Sequence, residues 1–312
     1  MSLLIQYTLL YASVLILVAL GGCFSEHSGV INLGLEGIMV IGAMGGALTM
    51  KYMADAPAAL IILVTIIVAA LAGLIYSLLL AVACINFKAD QTIIGTALNM
   101  LATAVATVIV KAINTAANPD DVSSVIQFIE GKKKFQINLG SFTINWFIIL
   151  TLLLLVAAYV VLYKTRFGLR LMACGEHPQA ADSVGINVYK MRYAGVMISG
   201  VLGGLGGITY ITSGVSEWKF ENGVVGFGFL ALAVMIFGQW KPTRIGLAAL
   251  LFGLFRALSN VYSGIDVLAA LKLPSTFYNM LPYIISLLVL ALTSKQSRAP
   301  KAEGIPYDQG AR

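Results

Sequence analysis

The chain has 312 residues, of which 59% are hydrophobic and only 11% are charged, whereas a soluble domain carries about 25% charged residues. A globular core could not remove so much apolar surface from water, so the composition excludes a water-soluble protein and requires lipid as solvent. The formal net charge is +6, and the basic residues lie mostly in short segments between apolar runs. The positive-inside effect of membrane proteins explains this distribution better than binding to nucleic acid does.

Apolar runs occupy most of the chain, and a helix needs about 20 such residues to cross the hydrocarbon core of a bilayer. The runs that reach or nearly reach this length lie at 2–23, 30–50, 57–85, 91–113, 143–163, 193–213, 223–239, 245–263 and 276–293. The sequence therefore predicts an all-α fold, a polytopic transmembrane helical bundle of about nine spans. Residues 1–293 are expected to form a single transmembrane domain.

The second apolar run begins with polar and flexible residues. Asn32, Gly34, Glu36 and Gly37 occupy the start of a segment that should span the membrane. Discontinuous helices of this kind occur in transporters, where irregular backbone lines a cavity. We therefore predict that the second span is broken near its start. Small residues four apart in this run and in the run at 193–213 indicate close packing of helices.

Basic residues orient the predicted bundle. If the polar loop at 164–192 is cytoplasmic, most lysines and arginines fall on the cytoplasmic side, as the positive-inside effect requires. This predicts a multi-pass membrane protein with its N-terminus outside and its C-terminus inside. Residues 294–312 are polar and contain proline and glycine, so we expect a disordered cytoplasmic tail.

Several polar or aromatic residues within the apolar runs are candidates to line a translocation pathway, because a charged group inside a bilayer is costly and normally faces the bundle interior or water. Arg256 could pair with Glu36, contact a substrate, or tie two helices together. Phe227 could line a pathway or simply pack. The predicted pathway and substrate residues are Asn32, Glu36, Asn99, Phe227, Arg256 and Asn260.

The loop at 164–192 contains a short pattern typical of a helix. Pro178 stands near a first helical position, and Gly185 stands near the helix end. A short rigid helix of about two turns, outside the bilayer and flanked by basic residues, suits docking into a groove on a soluble partner. The alternative is a mere connector between two spans.

Motifs for catalysis and metal binding are absent from the sequence. It contains no phosphate-binding loop, no HExxH and no serine elbow, and its only histidines are His27 and His177. Cys23, Cys84 and Cys174 show no paired spacing, so we interpret them as small apolar residues. We therefore expect a protein that is not an enzyme and holds no metal or cofactor.

Four segments resemble a known family. They are SGVINLGLEGIMVIGAMGGAL (28–48), TRFGLRLMACGEHPQAADSVGINVYKMRY (165–193), SGVLGGLGGITY (199–210) and GFGFLALAVMIFGQWKPTRIGLAALLFG (226–253). The sequence is similar to bacterial ABC importer permeases of the branched-chain amino-acid, ribose and nucleoside group, and most similar to the nucleoside-type branch. The resemblance extends from about residue 28 to about residue 292. It implies the bacterial cytoplasmic (inner) membrane as the location of the protein.

The resemblance implies the partners of such a subunit. They are a second homologous permease, cytoplasmic ABC ATPases that use ATP and magnesium, and an extracytoplasmic substrate-binding protein, often a lipoprotein. It also implies that the segment at 175–187 is the coupling helix that fits into the ATPase, and that residues 32–37 line the central pathway. His177 stands where the family pattern commonly has Asn. The predicted ATPase-coupling residues are Gly175, Glu176, His177, Pro178, Ala180, Ala181, Gly185 and Ile186.

Alternative functions remain at this stage. The resemblance favours a nucleoside as the small-molecule substrate, with a simple sugar or a branched-chain amino acid as the alternative. A gradient-driven secondary transporter would need intramembrane proton or sodium carriers, for which Glu36 is the only good candidate. An intramembrane enzyme lacks a catalytic constellation in the sequence.

Overall fold

A computed structural model of the chain describes residues 2–139, 142–213, 217–264, 274–293 and 298–310. Helices account for most of these residues, as the apolar runs predict. In chain order they are α1 (Ser2–His27), α2 (Leu35–Tyr52), α3 (Ala58–Ala81), α4 (Gln91–Ala117), α5 (Ile129–Lys133), α6 (Trp146–Lys164), α7 (Arg166–Glu176), α8 (Pro178–Ser183), α9 (Val188–Thr212), α10 (Phe227–Phe237), α11 (Pro242–Val261) and α12 (Ser275–Thr293).

Four short strands form two small sheets outside the helical bundle. They are β1 (Val125–Gln127), β2 (Gln136–Leu139), β3 (Phe142–Asn145) and β4 (Glu217–Lys219). Strand β1 pairs antiparallel with β4, and β2 pairs antiparallel with β3. The prediction of an all-α bundle is confirmed, and the two strand pairs add a small β structure to the polar segments that connect the spans.

Each of the nine predicted apolar runs contains a helix. Among the described residues, six helices are long and apolar enough to cross a membrane, namely α1, α3 with its extension, α4, α6, α9 and α11. The side chains of Leu63, Leu71 and Ile75 on α3 are 56%, 50% and 63% exposed, as expected of a helix that faces lipid. The count of nine spans stays a prediction, since α10 has only 11 residues.

The third run forms one continuous helical segment. Helix α3 continues directly into a π-helical turn at Val82–Asn86, so the run is neither split by a loop nor ended early. Its length of 29 residues exceeds what a perpendicular span needs.

Close contact between α2, α3 and α9 depends on glycine. A Cβ atom at Gly42 would overlap the backbone of Gly204, and a Cβ atom at Gly207 would overlap the carbonyl group of Met39. On α3, Gly73 meets the backbone of Gly204 in the same way. The small residues therefore bring three backbones into direct contact, as the spacing of glycines predicts.

The bundle has two ends. One end carries α7 and α8, and we call it the α8 face; the other end carries the four strands and α5, and we call it the strand face. The last turn of α1 lies at the α8 face, where the Trp240 indole donates to the Glu26 carboxylate and the Cys23 thiol donates to the Trp240 carbonyl group. These bonds hold the turn between α10 and α11 against α1.

The C-terminal residues 298–310, which their composition predicts to be a disordered tail, lie against the α8 face. The backbone N–H of Ala302 donates to the Gly175 carbonyl group at 2.8 Å, and the side chains of Ala302 and Tyr307 are buried. Composition suggested disorder because it records few apolar residues. It does not record that Tyr307 fits a cluster with Cys174, Ala181 and Val188.

Candidate translocation site and docking helix

Helix α2 begins inside the bundle. The segment at 28–34 is not helical, and within it Asn32 is fully buried and donates from Nδ2 to Ser199 Oγ at 2.9 Å. Ser199 lies about halfway along α9, so the first turn of α2 lies about halfway through the bundle as well. This confirms the break that the glycines and polar residues predicted at the start of the second span.

Helix α10 also begins inside the bundle, and its N-terminus meets Glu36. The backbone N–H groups of Gly226 and Gly228 donate to the two carboxylate oxygens of Glu36 at 2.7 and 2.6 Å. A helix N-terminus carries unpaired N–H groups and a partial positive charge, so it favours an anionic partner. A Cβ atom at Gly228 would lie 2.6 Å from the Glu36 nitrogen, so glycine is needed for this close approach.

Asn99 holds the irregular segment in place from α4. Its Nδ2 donates to the Leu33 carbonyl group at 2.8 Å, and its Oδ1 accepts from the Gly37 N–H at 2.7 Å. It therefore satisfies two backbone groups that the interrupted helix leaves unpaired. Among the described groups, Asn32 Oδ1 is buried and has no hydrogen-bond partner.

Phe227 is the centre of an aromatic group next to Glu36. Its ring centroid lies 4.5 Å from that of Tyr210 and 5.7 Å from that of Tyr11. The Arg256 guanidinium carbon lies 5.4 Å from the Phe227 ring centroid, and Asn260 donates to the Tyr11 hydroxyl. The structure thus places Phe227, Arg256 and Asn260 on one side of the α10 N-terminus, while Asn32 and Asn99 hold the start of α2.

One edge of α4 is polar along most of the helix, a feature that the sequence reasoning did not use. Its members recur at intervals of three or four residues, which keeps them on one side of a helix. They are Thr92, Thr96, Asn99, Thr103, Thr107 and Lys111. Ile94 and Val105 lie on the opposite edge, between the buried face and the exposed face. The spacing of threonines in the sequence could have revealed this polar edge.

The polar edge of α4 runs from the α8 face to the strand face past the candidate site. Near its middle, Asn99 holds the start of α2, and the Cβ position of Gly223 lies 3.7 Å from Thr103 Oγ1. At the strand face, Lys111 pairs with Glu221 at 2.8 Å. Glu221 lies outside the spans, and its hydrogen bonds to Lys111 and Lys219 lower the pKa of its carboxyl group to about 2.

The short helix of about two turns that the sequence predicts in the loop at 164–192 is present. Helix α8 has six residues, with Pro178 at its first turn and Gly185 in a left-handed conformation (φ 83°) just beyond its end. It follows a separate amphipathic helix, α7, which the sequence reasoning did not predict. The predicted coupling residues divide by exposure: Glu176, His177, Ala180 and Gly185 are exposed, Ile186 is half-buried, and Gly175, Pro178 and Ala181 are buried.

Val184 is a further exposed apolar residue at this end of the molecule. Its side chain is 74% exposed, directly after α8 and beside the exposed Ala180. The exposed residues of α8 are Gln179, Ala180 and Ser183, and Val184 adds one exposed apolar side chain directly after them. A short helix whose exposed side chains are small or uncharged suits insertion into a groove on another protein.

A separate cavity of about 270 Å³ opens on the strand face between α1, the β2–β3 hairpin and the end of α9. None of the predicted pathway residues lines it. Its polar lining residues include Gln6, Tyr7, Lys132, Asn145 and Thr212. Within the described parts of the chain, no group of three or more His, Cys, Asp or Glu residues is placed to hold a metal ion.

The bundle of apolar helices, two of which begin in its interior, together with a projecting helix at one end, defines a membrane permease. The chain matches the family described as "Branched-chain amino acid transport system / permease component" over residues 4–291, and it belongs to that family. No solved structure matches the chain.

Curated relatives cover nearly all of the chain. It is 41% identical over 317 residues to the guanosine ABC transporter permease protein NupQ of Bacillus subtilis strain 168, which covers 100% of this chain and 98% of the relative. It is 38% identical to the nucleoside ABC transporter permease protein NupC of Lactococcus lactis subsp. cremoris, over 98% and 97% of the two chains. It is 23% identical to NupB of the same Lactococcus strain, over 93% and 83%.

These comparisons confirm the predicted class. The chain is a multi-pass membrane protein and a permease subunit of an ABC importer. The family resemblance seen in the four sequence segments is therefore correct.

Proposed function

We propose that this chain is one of two related permease subunits of an ATP-driven importer for nucleosides. The observation that carries the proposal is the meeting of α2 and α10, whose first turns lie inside the bundle around Glu36. Transporters place their substrate sites at interrupted helices of this kind, near the middle of the membrane. Two full-length relatives described as guanosine and nucleoside permeases support the choice of substrate.

The chemistry of the site suits a nucleoside. The rings of Tyr11, Tyr210 and Phe227 pack together beside the α10 N-terminus, and a nucleobase stacks well on such rings once the opening of the pathway uncovers them. The unpaired acceptor of Asn32 and the carboxylate of Glu36 suit the hydroxyl groups of a ribose. A simple sugar would use the polar groups without the rings, and a branched-chain amino acid would need partners for both its charges.

The partners follow from the same proposal. A cytoplasmic ATPase binds the exposed side of α8 and uses ATP and magnesium, a second permease completes the pathway, and an extracytoplasmic binding protein delivers the nucleoside. The α8 face is then cytoplasmic and the N-terminus lies outside the bacterial cytoplasmic membrane. Movement of α8 on ATP binding changes which side of the pathway is open.

The first experiment tests this assembly and its substrate. We expect the chain to co-purify with an ABC ATPase and a second permease. We also expect vesicles that contain the complex to take up radiolabelled guanosine only when ATP is present on the side of the membrane that carries the ATPase. We expect Ala180→Arg to abolish ATPase co-purification, because Ala180 is exposed on α8. Ala180→Ser keeps the small side chain and should retain binding.

Other results would identify a different function. Uptake by vesicles that lack any ATPase would favour a gradient-driven transporter. ATP-dependent uptake of glucose or leucine in place of guanosine would keep the importer and change its substrate.

The second experiment tests whether the polar edge of α4 faces the pathway. We expect Thr96→Cys, Thr103→Cys and Thr107→Cys to react with a membrane-impermeant thiol reagent at least about tenfold faster than Ile94→Cys and Val105→Cys, because thiolates form in water and not in lipid. The measurement is the labelling rate in intact vesicles. The three native cysteines are buried, so background labelling should be low.

Saturating guanosine should slow labelling on the polar edge if that edge lines the nucleoside route. Equal, slow labelling on both edges of α4 would mean that the threonines face lipid or protein, and would remove α4 from the proposed pathway.

A further inference from the structure

Residues 298–310, which we call the strap, lie across the α8 face and contact the docking helix from the side of the bundle. Tyr307 is buried in a cluster with Cys174, Ala181 and Val188, and its ring packs edge-on against that of Tyr189 at 5.4 Å. Gln309 Nε2 lies 3.4 Å from the Asp182 carboxylate. Since Pro178 and Ala181 are the buried residues of α8, the strap forms part of the surface on which α8 rests.

The strap also contacts the irregular segment that leads to the candidate site. The Gly304 N–H donates to the Gly29 carbonyl group at 3.3 Å, and a Cβ atom at Gly304 would lie 2.9 Å from Ile31 Cδ1. Ile31 immediately precedes Asn32, and its N–H donates to the Gln91 side chain at 2.7 Å. One short stretch of backbone therefore joins α8 to the start of the second span.

Arg192 fixes the strap between these two contacts. Its side chain is 1% exposed, its Nη1 donates to the Ile305 carbonyl group at 3.0 Å, and its guanidinium lies 5.9 Å from the Tyr307 ring centroid. At the far end of the strap, Lys88 pairs with Asp308 at 2.9 Å. A buried cation that holds a backbone carbonyl group is costly to separate from its partner, so strap and α9 should move together.

Glu303 lies on the strap next to the last turn of α1. Its Oε2 atom is buried and has no hydrogen-bond partner among the described groups, and it interacts electrostatically with Glu26. Burial raises the pKa of the Glu303 carboxyl group to about 7. The docked strap thus carries a carboxyl group that water would solvate better.

We propose that the strap transmits the movement of α8 to residues 28–34 and so to the start of α2. Tyr307 moves with α8 through its contact with Ala181, and Gly304 moves with Gly29 and Ile31. Only two residues, at 305 and 306, separate Gly304 from Tyr307. These strap residues are positioning residues for transport and do not touch the substrate. The inference rests on the proposed docking of an ATPase on α8.

The test compares ATP hydrolysis with uptake in the complete complex of both permeases and the ATPase. The variants are deletion of residues 298–312, and Gly304→Val, which places a branched side chain against Ile31 at a position with φ 75°. We expect both complexes to co-purify and to hydrolyse ATP within about twofold of the unaltered complex, while guanosine uptake per ATP falls by about tenfold or more.

Two variants serve as controls. Tyr307→Phe keeps the ring against Tyr189 and should keep uptake per ATP, whereas Tyr307→Ala should lower it. Lys301→Ala changes an exposed strap residue and should have no effect.

The outcomes separate the strap from the function on which it rests. An unchanged ratio of uptake to ATP hydrolysis after deletion of the strap would overturn the proposed role of the strap and leave the proposed function intact. If every strap variant lost assembled complex to the same extent as it lost uptake, the strap would have a purely structural role, and the proposed transmission would be overturned as well. If the unaltered chain did not bind an ATPase at all, the proposed function itself would fail.

Discussion

Replacing Glu36 by alanine lowers uptake by at least about tenfold, since the variant leaves two part-buried N–H groups without this acceptor, and an unpaired buried donor costs about 1–3 kcal/mol. The affected groups are the N–H groups of Gly226 and Gly228, which open α10. The N-terminus of α10 would then move away from α2 or admit water. Uptake in vesicles and the amount of folded, monodisperse protein after detergent extraction measure the two consequences separately.

Glutamine is also expected to fail at this position. Its amide has one oxygen and one NH₂ group, so a side chain that accepts from one glycine N–H presents a donor to the other. Glu130→Gln serves as the control, because Glu130 forms an exposed pair with Lys133 that contributes little. Full uptake by Glu36→Gln would show that the negative charge and the double acceptance are dispensable, and would remove Glu36 from the site.

Replacing Gly207 by valine destabilises the bundle by about 3 kcal/mol, the upper part of the usual range for overpacking, because its side chain would collide with backbone rather than with a movable side chain. The Met39 carbonyl group occupies the position that a Cβ atom would need. Helices α2 and α9 would separate, and the start of α2 would lose its contacts with α9. We expect the apparent melting temperature in detergent to fall by roughly 5–10 °C.

Gly45→Ala is the matched control for this variant. It adds a methyl group on α2 whose nearest neighbour is a side-chain carbon of Val68 at 3.3 Å, so a small shift of one side chain accommodates it. A melting temperature for Gly207→Val equal to that of Gly45→Ala would contradict the close approach of the two backbones.

The sequence alone was enough to predict that lipid surrounds the chain, that its main elements are helices, and that a short helix begins at Pro178. Apolar runs of membrane-spanning length must form helices in lipid, because each backbone group needs a partner within its own segment. Pro178 and Gly185 marked the ends of the short helix for a local reason: proline fixes φ at a first turn, and glycine accepts a positive φ beyond the last. These properties depend on neighbours in the sequence.

Contacts between distant segments were decided by the tertiary structure. The bonds between Glu36 and the α10 N-terminus join residues separated by 190 and 192 positions. The strap lies against the α8 face because Tyr307 packs against Ala181 and Gly304 packs against Ile31. The composition of the tail does not predict these contacts. Periodicity determines which side of an element is apolar, whereas the identity of the group that meets it depends on how every other element packs.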